Sequence, residues 1–510
     1  MPEKRLVLRL FDPGMTHFHR VGLAGLYMTL KCLNPEEFEP WGGWVLGPRQ
    51  VELYWSHTPK DLLGPITKKA FGISQQGAVQ YLAHAIHPMG DLEKLSLHQA
   101  ILLTYLQHGR TRKLAARERT LAFDFDGKML TTVIKPIENY QNQQALKFLF
   151  NQKGCFKKEI NLAGWLLPGG AVRHVIHSEA TTLKNSPEKF LLLLFAPVAS
   201  LYFLISHRTR DGKYDQRRLA ALVLPHITDL ETFNRSYQRF LQAPVQRLYV
   251  YGMGDAGLSA LTMLNVLSAE GFLESLEINS CSVVTMGTLG WAKQQKTRTG
   301  IMTIKDIDAP SLHFYDLALK ILPNKKWIKE DGKLFCYPSI IRGLIADNIA
   351  ASRRWYANFS QLMQSKKLAG IISWERKELN TMVQEAQWSP EEDRLLVEAV
   401  HQALRNRYGA LAQRAKLKGE VAQFGKEFER LRASLMRTKN AATLRAELAD
   451  LFARGGLNQV LQGNWQKLLG LFTGGDWQRA RDLALLALAS YVGKGVEELE
   501  IKEPLDREEE

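Results

Sequence analysis

The chain has 510 residues, of which 45% are hydrophobic and 23% are charged. These proportions are normal for globular proteins and exclude general disorder, and the length is sufficient for two to four domains with large cores. The formal net charge of +15 makes a polyanion the first candidate partner, because Lys and Arg side chains that neutralise phosphates release bound counterions. A basic surface without a specific partner is the alternative.

The cysteine usage excludes several classes of site. The four cysteines are far apart in the chain, at Cys32, Cys155, Cys281 and Cys336. They form no C-x-x-C pair, so their spacing predicts neither a zinc ribbon, an iron–sulfur cluster nor a disulfide framework. This usage fits a reducing compartment, and the first residues carry no secretory signal, so we expect a cytoplasmic protein.

The N-terminal residues are predicted to form a strand, a turn and a helix. Apolar residues alternate from Leu6 to Leu10, the turn residues 12–14 follow, and leucines then recur at helical spacing as far as Leu33. Gly22 and Gly25 each cost a helix about 1 kcal/mol relative to alanine. We therefore expect them to let another backbone approach this helix closely.

Helical and strand patterns alternate through the next 200 residues. Hairpins are predicted over residues 44–55 and, around Asp126-Gly127, over residues 118–137. Helices are predicted over residues 60–71, 77–87, 92–107 and 229–241, and strands over residues 219–224, 245–251 and 276–286. The most apolar run, residues 190–205, contains Pro197 and is too short to span a membrane, so we expect one or two buried strands.

An amide-rich segment follows the second hairpin. It contains Asn139, Gln141 and Asn142. An amide side chain carries a donor and an acceptor together, so such a segment can read base edges in a groove of DNA. A solvated helix start is the alternative interpretation.

A glycine-rich segment at residues 252–257 indicates a different function, the binding of a dinucleotide. Gly252, Gly254 and Gly257 follow a predicted strand and open a helix, and Glu277 lies twenty residues beyond. This arrangement is typical of a dinucleotide fingerprint, in which glycines admit the pyrophosphate and the acidic residue binds the ribose. However, Asp255 would place a negative charge beside the phosphates, and a tight strand-to-helix turn explains the glycines equally well.

Residues 287–300, GTLGWAKQQKTRTG, form the best candidate for nucleic-acid contact by residue type. Cations contact phosphates, amides read base edges, and an indole stacks on bases or wedges between them. The candidate residues of this predicted loop are Trp291, Lys293, Gln294, Gln295, Lys296 and Arg298. A solvated loop bounded by glycines is the alternative.

From residue 389 onward the apolar patterns are helical. Ser389, Pro390 and Glu392 predict a capped helix start, and the apolar stripe is expected to continue through Leu417 and Val421 into a second helix. Further helices are predicted over residues 443–452, 457–472 and 477–491. The cations of this region that could contact nucleic acid are Arg405, Arg407, Arg414, Lys416, Lys418, Arg437 and Lys439.

These patterns predict an α+β fold in three parts. They are a large mixed N-terminal domain over residues 1–388, a helical bundle over residues 389–492, and an acidic tail over residues 493–510 that we expect to be disordered. No HD pair, GxSxG motif or Walker loop is present, so no catalytic residue, metal ligand or cofactor is predicted.

Residues 8–31, LRLFDPGMTHFHRVGLAGLYMTLK, resemble the N-terminus of a known family. The family is the large subunits of type I CRISPR Cascade effector complexes, of the MYXAN subtype, which is similar to types I-A and I-B. Residues 287–300 and the helical C-terminus add to this likeness.

The resemblance implies a non-catalytic subunit of an RNA-guided ribonucleoprotein in antiviral defence. Its N-terminal body would hold the 5′ end of the guide RNA and test the motif flanking the target in duplex DNA, and its C-terminal bundle would hold the displaced strand of the R-loop. Expected partners are the backbone, small and 5′-end subunits, and a helicase-nuclease or transposition proteins recruited in trans. In some such systems an internal start yields the small subunit, for which Met363 and Met382 are candidates.

Two other functions stay open from the sequence. One is a nucleotide-dependent enzyme that uses Gly252, Gly254 and Gly257. The other is a nucleic-acid-binding scaffold outside CRISPR systems.

Overall fold

The computed structural model describes most of the chain as two compact units. The described residues are 4–85, 89–125, 127–168, 183–205, 219–242, 260–264, 276–288, 296–304, 307–323, 325–328, 334–337, 339–473 and 475–493. The first unit contains the described residues up to 312 together with 325–337, and the second contains 313–323 and 339–493. Sheets occupy the first unit and helices the second, which confirms the predicted α+β fold with a helical C-terminal region.

The elements are numbered in chain order. The strands are β1 (Arg5–Arg9), β2 (Gly42–Leu46), β3 (Gln50–Trp55), β4 (Phe71–Ile73), β5 (Val79–Tyr81), β6 (Arg112–Leu114), β7 (Arg119–Phe125), β8 (Lys128–Ile134), β9 (Ile137–Tyr140), β10 (Ile160–Asn161), β11 (Lys184–Asn185), β12 (Leu201–Ile205), β13 (Leu219–Ile227), β14 (Leu276–Thr288), β15 (Lys296–Ile304), β16 (Lys325–Ile328) and β17 (Leu334–Tyr337). The helices up to the unit boundary are α1 (His17–Lys31), α2 (Pro59–Ala70), α3 (Leu82–Ala85), α4 (Asp91–Leu103), α5 (Gln141–Gln144), α6 (Leu146–Leu149), α7 (Pro187–Ala199), α8 (Leu230–Gln242) and α9 (Ala309–Ile321), which crosses it.

The two largest described sheets of the first unit are antiparallel. The first has the strand order β1-β3-β2, and the second has the order β12-β13-β14-β15. The hairpins predicted around Gly47 and Gly127 are confirmed as β2–β3 and β7–β8, and Gly127 takes a φ of 75°, which favours glycine. The remaining strands pair two by two, as β4–β5, β6–β9, β10–β11 and β16–β17.

Helix α1 packs against α7 so closely that only glycine fits at two positions. A Cβ atom on Gly22 would lie 2.0 Å from the Leu192 carbonyl oxygen, and one on Gly25 would lie 2.1 Å from the Phe195 carbonyl oxygen. The predicted close approach of another backbone is therefore confirmed. Almost every residue of α1 is buried, because α7, α8 and strand β13 cover different faces of this helix.

Two predictions of secondary structure are wrong in this unit. The run at residues 190–205, expected to be strands, begins as helix α7 and becomes strand β12 only at Leu201. A helix that is buried on all sides has no polar face, so its pattern cannot be distinguished from that of buried strands. Residues 77–87, expected to be helical, contain strand β5 paired with β4, followed by the short helix α3.

The second unit is helical in its described residues. After α9 come α10 (Ile340–Ala350), α11 (Lys366–Ser373), α12 (Arg376–Glu385), α13 (Glu391–Lys418), α14 (Phe424–Arg437), α15 (Ala441–Gly455), α16 (Gln459–Thr473) and α17 (Trp477–Ser490). Short 3₁₀ turns lie at Pro35–Phe38, Gly109–Thr111, Gly164–Leu166 and Phe359–Met363. The helices predicted over residues 443–452, 457–472 and 477–491 are confirmed.

The start and end of α13 differ from the prediction. Pro390 is the N-cap residue and no side chain caps the helix, so the predicted capping box is wrong. The expected buried stripe also ends early, since Leu417 is 88% and Val421 is 77% exposed. Gly419 ends the helix with a φ of 66°, and the chain turns before the apolar stripe can meet another element.

Buried carboxylates fasten the segment before α13 to the bundle helices. Asp482 of α17 accepts hydrogen bonds from the backbone N–H groups of Asn358 (2.7 Å) and Ser360 (3.0 Å). Asp393 of α13 accepts a hydrogen bond from the hydroxyl of Tyr356. These bonds hold residues 356–360 against the bundle.

The glycine contact between α1 and α7 makes a test of the first unit possible. We expect Gly22→Ala to lower the free energy of unfolding by about 1–3 kcal/mol, because the added methyl group overlaps the Leu192 carbonyl. Gly64→Ala in α2 is the control: its Cβ meets open space, so the better helix propensity should stabilise the protein by up to about 1 kcal/mol. Urea unfolding followed by circular dichroism measures both changes. Equal stabilisation by the two substitutions would contradict the observed packing.

Candidate nucleic-acid interface

The β14–β15 hairpin includes residues 287–300, the segment that the sequence indicates as the best candidate for nucleic-acid contact. Thr288 pairs with Lys296 and Met286 with Arg298, so the expected continuous loop over residues 287–300 is wrong at both ends, which belong to strands. The register shifts beside Thr285, where the next partner is Gly300. Of the candidates, Lys296 and Arg298 lie in β15 close to the turn. The others lie outside the described residues: Trp291, Lys293, Gln294 and Gln295.

A polar network joins the start of α1 to the strand that leads into this hairpin. The rings of His17 and His226 stack with centroids 3.5 Å apart. The nitrogens of His226 lie 2.7 Å from the Ser280 hydroxyl and 2.8 Å from the Ser282 hydroxyl, and Ser282 is also 3.1 Å from Nδ1 of His17. This network fixes β14 relative to β13 and α1, so the described part of the hairpin has a fixed base.

The amide-rich segment has two half-buried candidates and one buried candidate. Asn139 lies half-buried in β9, opposite Lys113 of β6, and the half-buried Gln141 donates to the Arg110 carbonyl at 3.2 Å. Asn142 is fully buried and donates to the Leu194 carbonyl of α7 at 3.0 Å. The interpretation of Asn142 as a base-contacting residue is therefore wrong, because its amide serves the core.

Arg407 is another predicted contact that the structure assigns to the protein interior. Its side chain is only 14% exposed, and Nε donates to the Glu427 carboxylate at 2.9 Å. Burial by itself would raise the pKa of Glu427, but the hydrogen bonds and charges of Arg430 and Arg407 outweigh it and lower that pKa to about 2. The prediction that Arg407 contacts DNA is corrected, since its charge is already neutralised.

The end of α13 projects as a cationic arm, residues 409–418. The last residue of this helix that is buried is Tyr408, and ten further residues extend the helix by about 15 Å. Arg414, Lys416 and Lys418 are exposed there, and none of them forms an ion pair with any residue that the structure describes. The sequence has no acidic residue between Glu398 and Glu420, so the positive charge of the arm is not offset locally.

Three predicted cations lie elsewhere on the bundle surface. Arg405 is exposed and lies in α13 just before the cationic arm. Arg437 ends α14 at a groove between α14 and α15, and the exposed Lys439 lies in the following turn. In the same groove, Arg430 and Arg454 are paired with Asp450, so Arg437 and Lys439 are more available to a ligand.

A surface cluster that the sequence did not predict lies at the end of β1. Phe11 is 50% exposed, and the guanidinium carbons of Arg20 and Arg49 lie 4.9 Å and 6.0 Å from its ring centroid. The backbone N–H of Leu10 donates to the Arg49 carbonyl at 3.0 Å and so fixes the β2–β3 turn beside the ring. An exposed ring with two guanidinium groups can bind a base and its phosphates. The sequence signal was a large aromatic residue next to the turn residues 12–14.

Other expected features are not brought into this interface. Gly252, Gly254 and Gly257, the basis of the nucleotide-binding hypothesis, lie outside the described residues. In the part of the chain that is described, no cluster of three His, Cys, Asp or Glu side chains is arranged to hold a metal ion. Among the described helices, none has the length and apolar character needed to cross a bilayer.

Comparison with known proteins gives matches at both ends of the chain. Residues 7–194 match the DevT N-terminal domain, and residues 384–510 match the DevT C-terminal domain. The chain is also 29% identical over 535 aligned residues to the CRISPR-associated protein Cas8a1/Csx13 of Myxococcus xanthus (strain DK1622). That alignment covers 98% of this chain and 90% of the relative, so the likeness extends over nearly the whole length of both.

The Glu427 ion pairs predict a pH dependence of stability. Glu427→Gln should lower the free energy of unfolding by about 3 kcal/mol at pH 7, because the largely buried Arg407 loses its counter-charge and Arg430 loses one of its two partners. The folded pKa lies below the ordinary 4.5, so the stabilisation is complete above pH 4.5 and is lost as the pH falls towards 2. The difference in the free energy of unfolding between wild type and variant should therefore decrease over that pH range, as measured by urea unfolding.

The control for this prediction is the same chemical change at an exposed pair. Glu391 pairs with Lys467, and both side chains are more than half exposed. Glu391→Gln should lower the free energy of unfolding much less than Glu427→Gln does, because an ion pair exposed to water contributes little. A comparable cost at the two positions would contradict a structural role for the Glu427 pairs.

Proposed function

Because the chain belongs to the large subunits of type I CRISPR Cascade effector complexes, as residues 8–31 indicate, we propose that it recognises the motif flanking the target in duplex DNA. It also stabilises the displaced strand of the R-loop, and it makes or breaks no covalent bond itself. Pairing between guide RNA and target then reads the target sequence, and the protein reads only the short flanking motif.

The observation that carries nucleic-acid binding is the cationic arm. Three exposed cations, Arg414, Lys416 and Lys418, lie within five residues on a helix whose nearest acidic neighbours are Glu398 and Glu420. Concentrated positive charge of this kind follows a phosphate backbone without regard to sequence. This property suits a displaced strand, whose sequence differs with every target. Arg405, Arg437 and Lys439 extend the same binding surface of the bundle.

Recognition of the flanking motif is assigned in this proposal to the β14–β15 hairpin. Trp291, Gln294 and Gln295 supply stacking and base-edge contacts, and Lys293, Lys296 and Arg298 supply phosphate contacts. The rigid base of the hairpin, held by the His17, His226 and Ser282 network, supports this assignment, since base reading requires a fixed position. Asn139 and Gln141 are the second choice for base contacts.

The partners follow from the role of a large subunit. The Phe11, Arg20 and Arg49 cluster is proposed to contact the single-stranded 5′ end of the guide RNA by stacking and phosphate binding. The backbone, small and 5′-end subunits of the complex are its protein partners, in the cytoplasm. A helicase-nuclease would act in trans in a defence system, and transposition proteins would take its place in guided transposition.

Substitutions in the hairpin test the reading of the motif. Gln294→Ala or Gln295→Ala should relax the preference among flanking motifs by about 1–3 kcal/mol per base pair, with little change in salt dependence. Binding of the assembled complex to a library of flanking sequences measures this preference. Lys296→Gln is the contrast, because loss of a phosphate contact weakens binding equally on every motif. Uniform weakening by the glutamine substitutions would overturn base reading by Gln294 and Gln295.

Neutralising the cationic arm tests its contact with the displaced strand. The triple variant Arg414→Gln, Lys416→Gln and Lys418→Gln should reduce the slope of log K against log salt by about 2 on single-stranded DNA. The control is Lys366→Gln with Lys367→Gln, two exposed lysines at the start of α11. An unchanged slope in the arm variant would exclude the arm as a phosphate-binding surface.

A further inference from the structure

We propose that the acidic segment, residues 497–510, binds back onto the cationic arm and occupies it until nucleic acid displaces it. This inference rests on the proposed function, because it describes how the same surface is regulated. The acidic segment itself lies outside the described residues, so the inference is drawn from its sequence and from the position at which the described chain ends.

The described chain ends beside the base of the arm. Helix α17 ends at Ser490, and the ring of Tyr491 then packs on the ring of Tyr408 with centroids 5.5 Å apart. Tyr408 is the last buried residue before the arm, so the C-terminal residues begin their course at the point where the arm leaves the bundle.

The charges of the two segments are complementary. The acidic segment contains eight carboxylate side chains and two cations, which gives a net charge of −6. The cationic arm has Arg414, Lys416 and Lys418 and no acidic residue. At physiological ionic strength such charges interact only within about 8 Å, so attraction requires the segments to be close together. Their attachment beside each other meets that condition and raises the effective concentration of one for the other.

Apolar residues on both segments add a hydrophobic contact to the electrostatic attraction. Leu417 and Val421 are the most exposed aliphatic side chains among the described residues, at 88% and 77%. The acidic segment carries Leu499, Ile501 and Leu505 between its carboxylates. Burial of aliphatic groups on each side would contribute about 25 cal/mol for each Å² removed from water. Nucleic acid offers no equivalent aliphatic partner, which favours a peptide segment at Leu417 of the arm and at Val421 beyond it.

The length of the chain permits this contact. The arm extends about 15 Å beyond Tyr408. Seventeen residues follow Gly493, and at about 3.3 Å for each extended residue they can reach more than three times that distance. The acidic segment is therefore long enough to follow the arm from its base to Gly419.

The first experiment measures the contact without nucleic acid. A fluorescein-labelled peptide of residues 497–510 is titrated into the full chain in which Glu497, Glu498, Glu500 and Glu503 are replaced by Gln. We expect saturable binding by fluorescence anisotropy at low salt, weakened at least about tenfold by Arg414→Glu with Lys418→Glu. The same charge change at Lys366 and Lys367, written Lys366→Glu and Lys367→Glu, should leave binding within about twofold, since these lysines lie on α11. Absence of saturable binding, or equal loss in both double variants, overturns the inference.

The second experiment measures competition. The full chain with the four glutamine substitutions should bind single-stranded DNA about three- to tenfold more tightly than wild type at low salt, because the arm is no longer occupied. In the Arg414→Glu, Lys418→Glu background this difference should disappear. Peptide binding with no DNA binding by either chain would support the acidic segment contact and overturn the proposed role of the arm. DNA binding that is identical in both chains overturns the occupied state.

Discussion

The packing of α1 against α7 is the contact on which the first unit depends. Gly22 and Gly25 bring the two backbones within the distance that a methyl group would fill, and the rest of α1 is then buried by the surrounding elements. Since α1 contacts β13, and its first residue, His17, contacts Ser282 in the middle of β14, this helix also fixes the position of β14. The described strands of the hairpin are thus positioned by a contact far from them in sequence, and the proposed reading of the flanking motif requires such a fixed position.

The bundle shows that similar cations serve different purposes within one helix. Arg407 is desolvated, and its charge is balanced by Glu427, so it orients α13 against α14. Arg414, two turns further along the same helix, has left the bundle and faces water. Burying a charge is costly unless a partner of opposite sign is present, which explains why the interior arginines are paired. Exposed cations beyond Tyr408, such as Arg414, keep their charge available for a polyanion.

In the proposed role, a cationic helix that extends from the bundle is useful only if it is available at the correct time. An arm of this kind binds any polyanion, including RNA and DNA that are not targets, because phosphate contacts carry no sequence information. An attached acidic segment would compete with weak, non-specific ligands for the cationic arm. A DNA strand held in place by the rest of the complex would displace it. Specificity then arises from a difference between competing affinities, not from new contacts.

The sequence alone determined the features that depend on local pattern: the first strand and helix, the two glycine-marked hairpins, the succession of C-terminal helices and the family likeness of residues 8–31. It could not separate helix from strand at residues 190–205, because a segment buried on all sides lacks the periodic contrast that distinguishes them. Tertiary structure alone decided which candidate side chains are accessible. Asn142 is buried by a helix 52 residues further along, Arg407 is neutralised across 20 residues, and Phe11 is flanked by arginines from two other elements. Exposure and charge pairing are properties of contacts distant in sequence, and residue type does not encode them.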